Sequence, residues 1–73
     1  MTTNDTIRRV YASLYEGQPA PSDAEIAGVA EAFSYDVRST RSGNLLTKWD
    51  RMNMGQRCQR IATARSVEKH LAK

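Results

Sequence analysis

Two side chains in this sequence have the chemistry of a catalytic pair: the thiol of Cys58 and the imidazole of His70, the single cysteine and the single histidine of the chain. An imidazole activates a thiol only when the two groups are within hydrogen-bonding reach. Twelve residues separate them, so a continuous helix would hold them about 18 Å apart along its axis. Cys58 also lies on an apolar stripe, which favours a small buried side chain. We therefore predict no catalytic residues and a protein that is not an enzyme.

Metal and cofactor sites are not predicted either. One histidine and one cysteine, without a CxxC or HxxxH partner, cannot supply the tetrahedral set that a structural zinc ion requires. The four glycines are isolated along the chain instead of being grouped in a loop that could cradle a phosphate. We expect no metal ion and no cofactor.

Basic side chains are more informative, because in the second half of the chain they repeat at helical spacing. Cations three or four residues apart share one side of a helix and repel each other by a few tenths of a kcal/mol. A polyanion would relieve this repulsion, since arginine contacts phosphates and guanine and glutamine pairs with adenine edges. The alternative is a solvated face that only keeps the protein soluble. The predicted binding residues are Arg38, Arg41, Lys48, Arg51, Arg57, Arg60, Arg65, Gln56 and Gln59.

The segment after Asn53 has a face suited to a DNA groove. A helical projection at 100° per residue gathers Met54, Cys58 and Ile61 on one side. The opposite side is polar and uncharged, and the cations Arg60 and Lys73 flank it. Its residues are Gln56, Gln59, Thr63, Ser66 and His70.

A second DNA-binding hint lies upstream. The sequence Glu25-Ile26-Ala27, with Val37 ten positions after the alanine, resembles a helix-turn-helix motif over about twenty residues. The pattern departs from the motif at Glu31, where the turn glycine belongs, and at Thr40, where an apolar contact belongs. The resemblance implies that Arg38, Ser39 and Arg41 begin a recognition helix.

Helical periodicity defines the elements that must position these side chains. Residues 5–16 place Ile7, Val10, Tyr11 and Leu14 on one face, with Asn4 or Asp5 as the N-cap and a stop at Gly17. A capping box of Ser22 and Glu25 begins a second helix, whose apolar positions are Ile26, Val29, Ala30 and Phe33.

A third helical face follows Asn44 and consists of Leu45, Leu46, Trp49 and Met52. The phase of the apolar stripe then changes, which leaves two geometries open. One long helix bends at Gly55, or a third helix ends near Met52 and a fourth begins with Asn53 as its cap; we favour two helices. Because no segment alternates apolar and polar residues, no sheet is expected.

The sequence therefore predicts an all-α fold, a small bundle of three or four short helices forming a single domain over residues 1–73, with residues 1–4 disordered. The predicted core is Ile7, Val10, Leu14, Ile26, Phe33, Leu45, Trp49, Met52 and Ile61.

Charge is divided unevenly along the chain, although its formal net value is only +3. Residues 1–37 carry two cations against six carboxylates, and residues 38–73 carry nine against two. We expect a cytoplasmic, non-enzymatic protein with no membrane partner, whose basic second half binds nucleic acid. The alternative is a protein-binding regulator or inhibitor, of the kind that mobile elements encode, which docks its basic helix onto an acidic surface of a larger machine. Self-association of acidic and basic halves would give a homodimer.

Overall fold

The structure, a computed structural model, describes residues 2–38 and 43–71. Within these ranges the chain is mainly helical, but it is not all-α, because a small sheet separates the second and third α-helices. The elements are α1 (Thr3–Leu14), α2 (Asp23–Ala32), β1 (Val37–Arg38), β2 (Leu45–Leu46), a 3-10 helix (Trp49–Arg51) and α3 (Met54–Leu71). Helix α3 packs against both α1 and α2.

Helix α1 begins earlier than its apolar pattern indicated. The Thr2 hydroxyl accepts a hydrogen bond from the backbone N–H of Asp5, and the Asp5 carboxylate accepts one from the backbone N–H of Thr2. The sequence predicts disorder for residues 1–4, whereas this capping box places residues 2–4 in the cap and first turn of α1. The helix ends at Leu14, and Gly17 takes the left-handed conformation (φ 86°) in the connection that follows.

Helix α2 begins at the predicted cap, with the Ser22 hydroxyl accepting from the backbone N–H of Glu25. The second half of the predicted capping box is not formed, because the Glu25 carboxylate instead binds Arg65 of α3. The first turn of α2 therefore gains a long-range ion pair.

The predicted third helix is wrong. Leu45 and Leu46 form strand β2, which pairs with β1 in an antiparallel register of Val37 with Leu46 and Arg38 with Leu45. Two long-range hydrogen bonds hold the segment that follows in a non-helical path. The backbone N–H of Trp49 donates to the Phe33 carbonyl (2.7 Å), and that of Lys48 donates to the Asp36 carboxylate (2.8 Å).

The helix-turn-helix interpretation also fails. Val37 and Arg38 lie in a strand, so no recognition helix begins at Arg38. Ser39, Thr40 and Arg41, on which the resemblance also depended, lie outside the described residues.

The predicted cap of the last helix is confirmed. The Asn53 side chain accepts from the backbone N–H of Gln56 (2.8 Å), and the Gln56 side chain accepts from the backbone N–H of Asn53 (3.0 Å). Helix α3 then runs from Met54 with Gly55 in its first turn. The change of phase in the apolar stripe therefore marks a helix start, and not a bend at Gly55.

The core lies where α1, α2 and the 3-10 helix meet α3. Predicted core residues Ile7, Ile26, Trp49, Met52 and Ile61 are buried, together with Tyr11, Val29 and Cys58. Val10 and Phe33 are only partly buried. Leu14 and Leu45 are wrong as core residues, since they are 56% and 59% exposed. Leu14 lies in the last turn of α1, and Leu45 lies on the outer side of the hairpin formed by β1 and β2.

Candidate nucleic-acid interface

Two arginines near the start of α3 lie against aromatic rings. The Arg57 guanidinium carbon is 5.2 Å from the centroid of the Trp49 ring, and its Nε donates to the Trp49 carbonyl (3.2 Å). Arg60 lies over Phe33 at 5.5 Å, and its Nε is buried without a hydrogen-bond partner among the described residues. Both side chains are half-buried. Cation–π contact therefore holds each guanidinium in a fixed position.

Arg65 is tied even more closely to the interior. Its Nε and Nη2 donate to the two carboxylate oxygens of Glu25 (2.5 and 2.8 Å), and its Nη1 donates to the Pro19 carbonyl (2.8 Å). Its guanidinium also lies 4.9 Å from the centroid of the Tyr11 ring. The hydrogen bonds from Arg65 lower the pKa of Glu25, and Glu25 raises the pKa of Arg65. Arg65 thus joins α1, the connection after it, α2 and α3, and its donors face the protein.

The remaining predicted cations lie on or next to the hairpin. Arg38 is exposed on β1, where its Nη1 donates to the Gly43 carbonyl (2.8 Å) and the residue pairs with Leu45. Lys48 is half-buried just before the 3-10 helix, and Arg51 is exposed at the end of that helix. Arg41 lies outside the described residues. We call Arg38, Lys48, Arg51 and Arg57 the hairpin surface.

Two carboxylates belong to the same region. Asp36 accepts the hydrogen bond from the backbone N–H of Lys48, so it serves to fix the chain beside that lysine. Asp50 is exposed within the 3-10 helix. The four cations of the hairpin surface therefore have two carboxylates in the same region, and one of these, that of Asp36, already accepts a hydrogen bond.

The predicted glutamines lie on the outer face of α3. Gln56 and Gln59 are exposed, as are Thr63 and Ser66, and the side chain of His70 is outside the description. Gln56 completes the helix cap, and the Gln59 carbonyl accepts from the Thr63 hydroxyl (2.9 Å). Residues two apart on a helix differ by about 200°, so Gln59 faces away from Arg57. Gln59 therefore lies apart from the hairpin surface, whereas Gln56 directly precedes Arg57 and is engaged in the helix cap.

Sequence reasoning did not include Tyr35 in the candidate site. This residue lies two positions before β1, and it is 68% exposed, more than any other aromatic side chain among the described residues. Its position beside the hairpin depends on long-range contacts of Phe33 and Asp36, for which the sequence carries no local signal.

Charges in the first half of the chain are largely paired. The Arg8 guanidinium binds the carboxylates of Asp5 and Asp23, the second at 2.6 Å, and its hydrogen bonds lower the pKa of both acids. Together with the pair of Glu25 and Arg65, these contacts place three of the six carboxylates there in ion pairs, with two guanidinium groups as their partners. Arg9 and, on α3, Lys69 are exposed cations away from the hairpin.

An apolar groove between α2 and α3 was not predicted. Its volume is about 330 Å³, and Glu25, Arg65 and Glu68 border a lining of Ala24, Gly28, Val29, Ala32, Phe33 and Ala64. The available signal was the spacing of four between the small residues Ala24, Gly28 and Ala32 on α2.

Cys58 is buried, as its position on the apolar stripe predicts. Its thiol lies 3.6 Å from the Ile7 carbonyl, and burial raises the pKa of the thiol.

No family model matches this chain, and neither the curated proteins nor the solved structures contain a match to it. Among the described helices, none combines the length and the apolar character needed to cross a membrane. Over residues 2–38 and 43–71, no three acidic, histidine or cysteine side chains are grouped as a metal site.

Proposed function

We propose that this chain is a non-enzymatic nucleic-acid-binding protein of the cytoplasm and that its hairpin surface contacts the phosphate backbone. One observation carries the proposal. Arg57 is held over Trp49 and bonded through Nε to the Trp49 carbonyl, in a segment whose flanking cations Lys48 and Arg51 make no contact with a carboxylate of the described residues. A guanidinium fixed in advance loses little side-chain entropy when it binds a phosphate.

The proposal moves the expected contact from the whole of α3 to the hairpin surface, which includes Arg57 near the start of that helix. Arg65 is already paired with the Glu25 carboxylate, and the Nε of Arg60 is buried, so these two guanidinium groups present fewer free donors to a partner. The same fact weighs against the alternative in which a basic helix docks onto an acidic protein surface. Arg38 and Arg51 are exposed and Lys48 and Arg57 are half-buried, so a flexible polyanion could follow these cations from one phosphate to the next.

The test is the salt dependence of binding, measured by fluorescence anisotropy with labelled single-stranded and duplex oligonucleotides. Four phosphate contacts predict that log K falls with log salt at a slope of about −2.8 for single strands and about −3.6 for duplexes. Replacing Lys48 and Arg51 with alanine should bring the slope about 1.4 to 1.8 closer to zero.

A matched control removes two cations from elsewhere on the surface. The Arg9→Ala, Lys69→Ala variant has the same net charge as the Lys48→Ala, Arg51→Ala variant, and both replaced side chains are exposed away from the hairpin. Its slope should equal that of the wild type. Equal losses in the two variants would show that net charge alone causes binding, and absence of binding at low salt would reject the proposed function. In that case, recovery of one stoichiometric protein from nuclease-treated extract would support the protein-binding alternative.

A further inference from the structure

Resting on the proposed function, we infer that the ligand is single-stranded nucleic acid and that Tyr35 stacks on one of its bases. Single-strand binders combine a positive surface that follows the backbone with aromatic side chains whose faces accept bases. Tyr35 is 68% exposed, it lies three residues before Arg38, and the neighbouring Asp36 carboxylate accepts a hydrogen bond from the backbone N–H of Lys48. An aromatic ring exposed to this extent contributes little to the core, so its packing does not account for it.

Hydrogen bonds on either side fix the backbone that carries Tyr35. Two residues before it, the Phe33 carbonyl accepts from the backbone N–H of Trp49; one residue after it, the Asp36 carboxylate accepts from the backbone N–H of Lys48. These contacts join residues 33–36 to residues 48–49, so the backbone of Tyr35 lies near Lys48 and the start of the 3-10 helix. An anchored aromatic residue beside cations is the arrangement that stacking requires, because the ring can meet a base while neighbouring side chains meet its phosphates.

The same geometry is less suited to binding a duplex. A major-groove reader places a helix with its base-reading residues between flanking phosphate contacts. Here Gln59 faces away from Arg57, Gln56 is engaged in the cap of α3, and each strand of the hairpin has only two residues. The hairpin surface thus offers phosphate contacts and one ring, but no element of the described chain that would enter a groove.

The experiment compares Tyr35→Ala, Tyr35→Leu and Tyr35→Phe in anisotropy titrations with an oligothymidylate of about 15 nucleotides and a duplex of equal length. Tyr35→Ala and Tyr35→Leu should weaken binding to the single strand roughly 5- to 150-fold, whereas Tyr35→Phe stays within about 2-fold of the wild type. Tyr35→Leu is the matched control for apolar area, since it keeps an exposed apolar side chain and lacks the ring face. Because phosphate contacts are unaffected, the salt slope should not change.

Two further measurements separate the possible failures. Far-ultraviolet circular dichroism checks that each variant folds, and in Tyr35→Trp the new indole should be quenched when the single strand binds. The stacking proposal would be overturned by unchanged single-strand affinity in Tyr35→Ala, by full affinity in Tyr35→Leu, or by equal losses for single strand and duplex. In each of these cases salt-dependent binding, and with it the proposed function, survives. A wild-type protein that binds neither oligonucleotide would overturn both.

Discussion

Replacing Arg65 with alanine should destabilise the fold more than any other loss of a single charge on α3. The change removes two hydrogen bonds to Glu25, one to the Pro19 carbonyl and the contact with the Tyr11 ring. The two charged side chains are 21% and 28% exposed, so solvent screens their attraction only in part. Hydrogen bonds of charged groups contribute about 1.5 to 3 kcal/mol each before such screening, and their contributions are not additive, so we expect a net loss of about 2–3 kcal/mol.

Urea unfolding followed by the fluorescence of Trp49 measures this loss directly, because Trp49 is the only tryptophan and is buried. For a domain of this size, a loss of 2–3 kcal/mol corresponds to a decrease in Tm of roughly 10–20 °C. Lys69→Ala, an exposed substitution on the same helix, is the control and should stay within about 0.5 kcal/mol of the wild type. Arg65→Lys should recover only part of the loss, because an ammonium group cannot make the two-point contact with a carboxylate. A free energy of unfolding for Arg65→Ala equal to that of Lys69→Ala would refute this account.

Four further predictions concern stability and reactivity. Because the pKa of Glu25 is lowered in the folded protein, the ionised carboxylate stabilises the fold above its ordinary pKa of 4.5, and this stabilisation is lost as the pH falls through the lower folded value. Acid unfolding of Glu25→Gln should lack this pH-dependent component. An acid transition identical to that of the wild type would contradict the prediction. Asn53→Ala removes the cap of α3 and should cost about 1 kcal/mol in urea unfolding, whereas no change would show that the cap is dispensable. Gly28→Ala should stabilise the protein by about 0.5–1 kcal/mol, since the added Cβ has no atom within 4 Å and the residue is helical; a lower Tm would contradict open space at this position. Cys58 should react with a thiol reagent only as fast as the protein unfolds, because burial raises its pKa and removes it from solvent; rapid labelling of the native state would contradict its burial.

Local signals were sufficient to locate α1, α2 and the start of α3. Ser22 and Asn53 act as N-caps where the sequence indicated them, because the hydrogen bonds of a cap are made within three residues. The periodic stripe of α1 correctly marks Ile7 and Tyr11 as its buried face. For α1 the predicted cap, Asn4 or Asp5, is wrong, because Thr2, which precedes the apolar pattern, caps the helix.

The region between α2 and α3 was not predictable by the same reasoning. Leu45, Leu46, Trp49 and Met52 have the spacing of a helical face, yet two of them form a strand whose pairing partners lie seven and nine positions earlier. Hydrogen bonds from residues 48 and 49 to residues 36 and 33 override local propensity there. Predicting them from one sequence would require knowing the tertiary contact first.

The candidate site shows the same division. Spacing identified the basic side chains, but it could not show which guanidinium groups face the interior. Arg57 and Arg60 lie over rings, and Arg65 binds a carboxylate, although all three occupy positions that a helical projection leaves among surface cations. The position of Tyr35 at the edge of an apolar stripe is compatible with its exposure, but its place near Lys48 depends on hydrogen bonds that are remote in sequence.

The most direct test of the central claim is a titration of the isotope-labelled protein with an oligothymidylate, followed by two-dimensional NMR of the backbone amides. We expect the largest salt-sensitive shifts at Tyr35, Arg38, Lys48 and Arg51, with little change along the outer face of α1 or in the groove between α2 and α3. Shifts concentrated in that groove, or no shifts at low salt, would contradict the assignment of nucleic-acid binding to the hairpin surface.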